Sequence, residues 1–246
     1  MSDDVADHGF LDNRLVLREP KRGHRSGTDA LLLAAFARPQ AGAHVLDAGA
    51  GAGAVALAVL SQSDAVTAIL LEGNPAMAAL AAHNVVANGF APRAQVLEAD
   101  LFDKAACRIG LGQPVDVVLS NPPFFQAETV RVSHHPQRAA SHVLDGRGHH
   151  DWFRRLFSLA RPGGRILAIH RPEALRDFLE VAANRAAVTL RFIHARSGEP
   201  ATRVLLEAKL GSKAPMVVLP SLALHGPDGH FTREAENLHR GRWQTA

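Results

Sequence analysis

A lone cysteine, Cys107, rules out an internal disulfide and leaves no second thiol for a structural zinc site. It reads as a small buried hydrophobe. Long apolar runs are also missing: Ala54 to Leu60 and Ile69 to Leu71 are far too short to cross a bilayer. The N-terminus carries Asp3, Asp4 and Asp7 where a signal peptide carries lysines and an apolar stretch. These absences predict a cytoplasmic protein with no membrane partner. Neither a low-complexity linker nor an internal repeat interrupts the chain. The histidines, His134-His135 and His149-His150 among them, lack the carboxylate–histidine spacing of a metal motif, so no metal is expected.

What is present is the composition of an ordinary globular enzyme, 47% hydrophobic and 21% charged over 246 residues, enough for one substantial core. Residues 1–40 read as an extension packing on a domain of residues 41–246. The net charge of +3 is modest, but basic residues concentrate at Lys21 to Arg25, Arg131 to His150 and His239 to Arg242. Such runs either neutralise nucleic-acid phosphates or form a solvated basic surface.

From His44 onward, short β-like runs alternate with alanine-rich helical ones, the pattern of a mostly parallel α/β sheet with helices on both faces. Seven strands are predicted: His44 to Ala48, Val66 to Glu72, Ala94 to Glu98, Val115 to Ser120, Arg165 to His170, Val188 to His194 and Ala201 to Lys209. The helices between them are Gly53 to Ser61, Pro75 to Asn88, Asp151 to Ala160 and Glu173 to Asn184. Arg161-Pro162-Gly163-Gly164 is expected to stop the third of these. An earlier helix, Asp29 to Arg38, has Thr28 or Asp29 as its expected cap. Ala195 to Pro200 is too short for a crossover helix, so the last two strands form an antiparallel hairpin.

Val45-Leu46-Asp47-Ala48-Gly49-Ala50-Gly51-Ala52-Gly53 runs a strand through glycines into a helix, where backbone can approach a ligand; tight strand–helix turns share the pattern. Glu72, ending the second strand, is placed to accept from ribose hydroxyls, or to act as a charge at the next helix's N-terminus. Asp100 follows the third strand, where it can accept from an adenine amino group with Leu101 or Phe102 on the ring, or close its own turn. Asp47 inside the glycine turn would repel a pyrophosphate and attract an amino-acid ammonium, which favours S-adenosylmethionine over NAD.

After the fourth strand, Asn121-Pro122-Pro123-Phe124 sits where α/β enzymes place their ligands. The Asn121 side-chain oxygen and the Pro122 carbonyl can accept from the N–H bonds of a planar amine or amide, Pro123 stiffens the loop and the Phe124 ring can stack. An Asn-Pro turn beside core aromatics is the structural alternative. Arg131, Arg138 and Arg147 are placed to contact phosphates from a loop over the substrate, or to lie in a solvated loop.

These motifs resemble the class I S-adenosylmethionine-dependent methyltransferases of the Asn-Pro-Pro-Phe/Tyr group. More closely, the chain resembles the bacterial family that methylates adenine N6 at position 37 of a valine tRNA. That likeness adds Gly23 to Ala30, Ile193 to Val204 and Leu224 to Thr232 to the shared motifs. It implies that Asp47, Gly49 and Gly51 surround the methionine part of the cofactor, Glu72 the ribose and Asp100 the adenine, with Thr28 and Asp29 helping to close the pocket. Asn121, Pro122 and Phe124 then take the target base of a tRNA. Related guanine-N2 enzymes acting on rRNA carry the same Asn-Pro-Pro-Phe, and a release-factor glutamine amide fits the same acceptors. Glutamine enzymes, however, have a long helical N-terminal domain, and here only the segment before His44 precedes the first predicted strand. A non-catalytic module would need no such acceptor pair.

Overall fold

The computed structural model describes residues 4–22, 26–122 and 148–243. A hairpin, β1 (Val5–Phe10) and β2 (Leu15–Pro20), precedes helix α1 (Thr28–Ala37). Then follow β3 (His44–Ala48), α2 (Ala54–Leu60), β4 (Thr67–Glu72), α3 (Pro75–Ala87), β5 (Ala94–Glu98), α4 (Lys104–Leu111) and β6 (Val115–Ser120). The rest comprises α5 (His149–Phe157), β7 (Ala160–His170), a 3₁₀ turn at Pro172–Ala174, α6 (Leu175–Ala182), β8 (Ala186–Arg196), β9 (Ala201–Leu210), β10 (Val217–His225) and α7 (Arg233–His239).

The main sheet has the order β10-β8-β9-β7-β6-β3-β4-β5. Only β9 opposes its neighbours, pairing antiparallel with both β7 and β8, as the short connection demands. Central strands are apolar on both faces because both are covered. Val45 and Leu119 face one core, with α1, α2 and the hairpin; Leu46 and Val118 face the other, with α5 and α6. Helix α2 is buried at every position because it lies between the sheet and α1.

Four expectations are corrected. The sheet has eight strands, not seven: Pro215 and Pro220 argue against a strand at Val217–His225, but β10 is an edge strand, and its register shifts between Leu219 and Leu222, around Pro220. Arg161-Pro162-Gly163-Gly164 does not end a helix. Helix α5 stops at Phe157, and the four residues bulge out of β7, since Ala160 pairs with Val115 while Arg165 pairs with Val117. Neither Thr28 nor Asp29 caps α1; Gly27 occupies that position without a side-chain bond. Their polar groups instead reach the far end of the chain, Thr28 Oγ1 to His239 Nε2 at 3.2 Å and Asp29 to Arg203 Nε at 2.8 Å. Finally, the hairpin β1–β2, helix α4 and helix α7 have no counterpart in the reading of the sequence.

The hairpin is fastened by two asparagines one turn apart, Asn84 on α3 and Asn88 at its C-cap. Asn84 accepts from Arg18 N (2.8 Å) and donates to Arg18 O (3.0 Å) and Ala52 O (2.9 Å). Asn88 accepts from Val16 N (2.9 Å) and donates to Val16 O (2.8 Å). Four helical residues rise about 6 Å and two strand residues about 6.8 Å, so the amides match alternate peptide groups of β2. Asn84 is fully buried and its third bond ties the hairpin to the glycine turn. Replacing it by Ala leaves three backbone groups without partners. Asn84→Ala is expected to cost about 3 kcal/mol, roughly 6–12 °C in Tm, in thermal unfolding. A loss below about 1 kcal/mol would show that the hairpin docks by apolar packing alone.

Candidate functional site

Strands β6, β3, β4 and β5 are parallel neighbours, so the loops leaving their carboxyl ends lie side by side. The glycine turn after β3, Glu72 and Asp100 at the ends of β4 and β5, and Asn121-Pro122 after β6 all share this edge. Sequence order thereby becomes one continuous site.

The turn folds back over β4: the N–H groups of Gly49 and Ala50 both donate to Leu71 O, at 2.9 and 3.0 Å. Gly49 has φ +76°, and a Cβ there would stand 3.2 Å from the Trp152 ring. At Gly53, φ +92°, a Cβ would meet Leu70 Cδ2 at 2.7 Å, so α2 can start against the sheet only with glycine at its cap. Gly51 N donates to Glu72 Oε2 at 2.8 Å, and Asn74 N to Oε1 at 2.7 Å. Each Glu72 oxygen retains a lone pair for a further donor.

Asp47 is buried, with Oδ2 accepting from Ala56 N at 3.1 Å in the first turn of α2. Burial pushes its pKa up to about 7, against the pull of that bond and with a smaller push from the Glu72 charge. Asp100 is exposed and its Oδ1 accepts from Phe102 N at 2.8 Å, the bond of a turn-forming aspartate, while Leu101 beside it is buried.

Ser120, Trp152 and Arg155 bind these loops together, and reading of the sequence missed all three. Ser120 Oγ donates to Ala48 O (2.7 Å) and accepts from Trp152 Nε1 (3.1 Å), joining the ends of β6 and β3 to α5. The indole lies against Gly49 and meets Phe102 edge-on at 5.9 Å. Arg155 Nε donates to Leu101 O at 2.6 Å. The available signal was a tryptophan within an otherwise core-type helix, since a buried indole N–H needs an acceptor.

Asn121 is half-buried and Pro122 buried, directly beyond Ser120. Pro123, Phe124, Arg131, Arg138 and Arg147 lie outside the described residues. Thr28 and Asp29 are held by the C-terminal segment, and no bond among the described residues joins them to the glycine turn. Cys107 is buried, as expected. Among the described residues no helix is long and apolar enough to cross a membrane.

Comparison with known proteins fits this geometry. Residues 24–150 match the family model of the methyltransferase small domain. A tRNA1(Val) (adenine(37)-N6)-methyltransferase from Actinobacillus succinogenes is 30% identical over 236 residues, covering 96% of this chain and 97% of its own. A release factor glutamine methyltransferase from Cereibacter sphaeroides is 34% identical over 66% of this chain, but only 58% of its own length is covered. Among solved structures, a protein from Agrobacterium tumefaciens described as a predicted O-methyltransferase superposes with a TM-score of 0.71 at 28% identity, covering 87% of this chain and 96% of its own.

The raised Asp47 pKa has a measurable consequence. In the unfolded chain this carboxyl ionises near 3.8, whereas the fold favours its neutral form up to about pH 7. Its contribution to stability is therefore complete below about pH 4 and lost as pH rises to about 7. An asparagine side chain at this position would carry no charge to bury. Thermal unfolding of Asp47→Asn without cofactor should match wild type near pH 4 and gain on it up to about pH 7, then run parallel. Parallel curves over the whole range would mean Asp47 is charged in the fold at no cost.

Proposed function

The chain belongs to the methyltransferase small-domain family and is an S-adenosylmethionine-dependent methyltransferase, and from that premise we propose that its acceptor is an RNA base, adenine N6 in the anticodon loop of a tRNA. The observation that carries this reading is the meeting of the glycine turn, Glu72, Asp100 and Asn121-Pro122 on one sheet edge.

The residues suit the cofactor. Glu72, held by the Gly51 and Asn74 amides, keeps acceptor capacity for ribose hydroxyls. Asp47 repels a pyrophosphate but welcomes an ammonium, which would restore the charge that burial disfavours. When bound, S-adenosylmethionine supplies an electrophilic methyl carbon on a sulfonium. The chain's own part is to present the acceptor nitrogen. The Asn121 side-chain oxygen and the Pro122 carbonyl accept from its two N–H bonds, turning its lone pair out of conjugation with the ring. Phe124 stacks on the base, which must leave its own stack to reach them. The bonds of Ser120 to Ala48 and Trp152 hold the β6 end beside the glycine turn, which supports a pair of acceptors that needs no rearrangement when the substrate arrives.

Adenine of a tRNA is favoured because the relative bearing that activity aligns with nearly the whole chain, C-terminal strands included, whereas the glutamine-modifying relative does not. The deciding experiment incubates the protein with methyl-labelled S-adenosylmethionine and tRNA from a strain lacking the enzyme, followed by nucleoside mass spectrometry. N6-methyladenosine is the expected product. Methylguanosine, or label in protein alone, would overturn the substrate and leave the cofactor site intact. In the same assay Asn121→Ala should lower kcat about a hundredfold or more with cofactor Kd unchanged; an equal loss of cofactor affinity would contradict its role.

A further inference from the structure

Away from the glycine turn, a cavity of about 470 Å³ opens between α1, strands β8 and β9, and the C-terminal segment. Four arginines line it, Arg38, Arg191, Arg233 and Arg242, against a single carboxylate, Glu234. Arg191 already takes that carboxylate at 2.7 Å. Arg38, Arg233 and Arg242 are exposed and form no ion pair among the described residues. Several other surface arginines are neutralised locally, Arg154 by Asp151, Arg161 by Asp116, Arg176 by Glu180 and Arg240 by Glu236, whereas exposed arginines without an ion pair among the described residues, such as Arg108 and Arg185, line no shared hollow with these three. Three unpaired guanidiniums around one hollow repel one another unless an anion sits between them.

The cavity also has flat apolar surface. Phe36 and Trp243 line it, both half-buried, and the indole is fixed by its Nε1 bond to Leu238 O at 3.2 Å. Planar cations recognise phosphate oxygens in pairs, and fixed aromatic rings stack with unpaired bases. An acidic peptide would satisfy the arginines alone. We propose that this groove holds a single-stranded stretch of the RNA substrate, with its phosphates on Arg38, Arg233 and Arg242 and a base against Trp243. The inference rests on the RNA reading of the active site. It adds a second anchoring surface that no residue of the glycine turn or of the β3–β6 ends lines, so RNA held there is gripped independently of the base being methylated.

The test is equilibrium binding of tRNA from a strain lacking the enzyme, titrated over salt. For Arg38→Ala/Arg233→Ala/Arg242→Ala, Kd should rise about tenfold or more, and the dependence of log Kd on log salt should flatten by about 2–3. Trp243→Ala should weaken binding several-fold with the slope unchanged. Arg233→Glu, a single exposed change, should weaken binding in the same direction, and unchanged S-adenosylmethionine affinity reports that each variant is folded. Wild-type Kd and slope in the triple variant, with wild type both binding and methylating RNA, overturns the groove and leaves the proposed function standing. A wild type that neither binds nor methylates RNA overturns both.

Discussion

The Ser120 hydroxyl donates to the Ala48 carbonyl and accepts from the Trp152 indole at a fully buried point. Through these two bonds the β6 end, which carries Asn121, is spaced from the β3 end, which carries the glycine turn. The net worth of each bond is modest, about 1 kcal/mol, but leaving a buried partner unmet costs about 1–3 kcal/mol, so the arrangement resists slipping by a fraction of an ångström. The separation of these two loop ends is thus set by the Ser120–Ala48 bond and braced by Trp152 from a third element, α5. Arg155 on the same helix fixes the Leu101 carbonyl, so α5 governs three of the four loops.

Legibility in the sequence followed the physics of each segment. Val115 to Ser120 and His44 to Ala48 read correctly because a parallel strand buried on both faces is a continuous apolar run with a polar residue where it emerges. Glu72, Asp100 and Asn121 stood out for a related reason: each is a polar group where such a run gives way to a loop. Val217–His225 was hidden by its prolines, which only an edge strand accommodates, and an edge is a property of the whole sheet. Gly163 and Gly164 looked like a helix stop; a bulge needs the same residues, and the partner that distinguishes them, Val115, is remote in sequence. Trp152 signals by its indole N–H that a buried acceptor is near, but its partners Ser120 and Gly49 are remote in sequence.

The roles of Thr28 and Asp29 show how tertiary contact overrides a local preference. Both are good capping residues, yet a capping bond satisfies a single amide, whereas Asp29 meets the Arg203 guanidinium and Thr28 meets His239. Helix α1 is thereby clasped at its start by strand β9 and helix α7. Burial lowers the pKa of His239, whose ring meets Phe231 at a tilt, and Phe231 is itself stacked on His225. The beginning and end of the chain meet there, and the α1 surface between them forms one wall of the basic groove.

The asparagine pair of α3 and its C-cap bears on how this protein coexists with copies of itself. An open strand edge is a row of unmet amides and carbonyls, a template on which another chain can add a strand. Asn84 and Asn88 occupy that row on β2 with side chains that imitate a neighbouring strand. The main sheet guards its two outer strands differently, β5 by being only five residues long and β10 by Pro220 within it and Pro215 just ahead of it. A chain synthesised at high concentration would thus meet a short or proline-broken edge on each side of the main sheet and an occupied one on β2, and a lesion at Asn84 would unmask that last edge even where the active site survived.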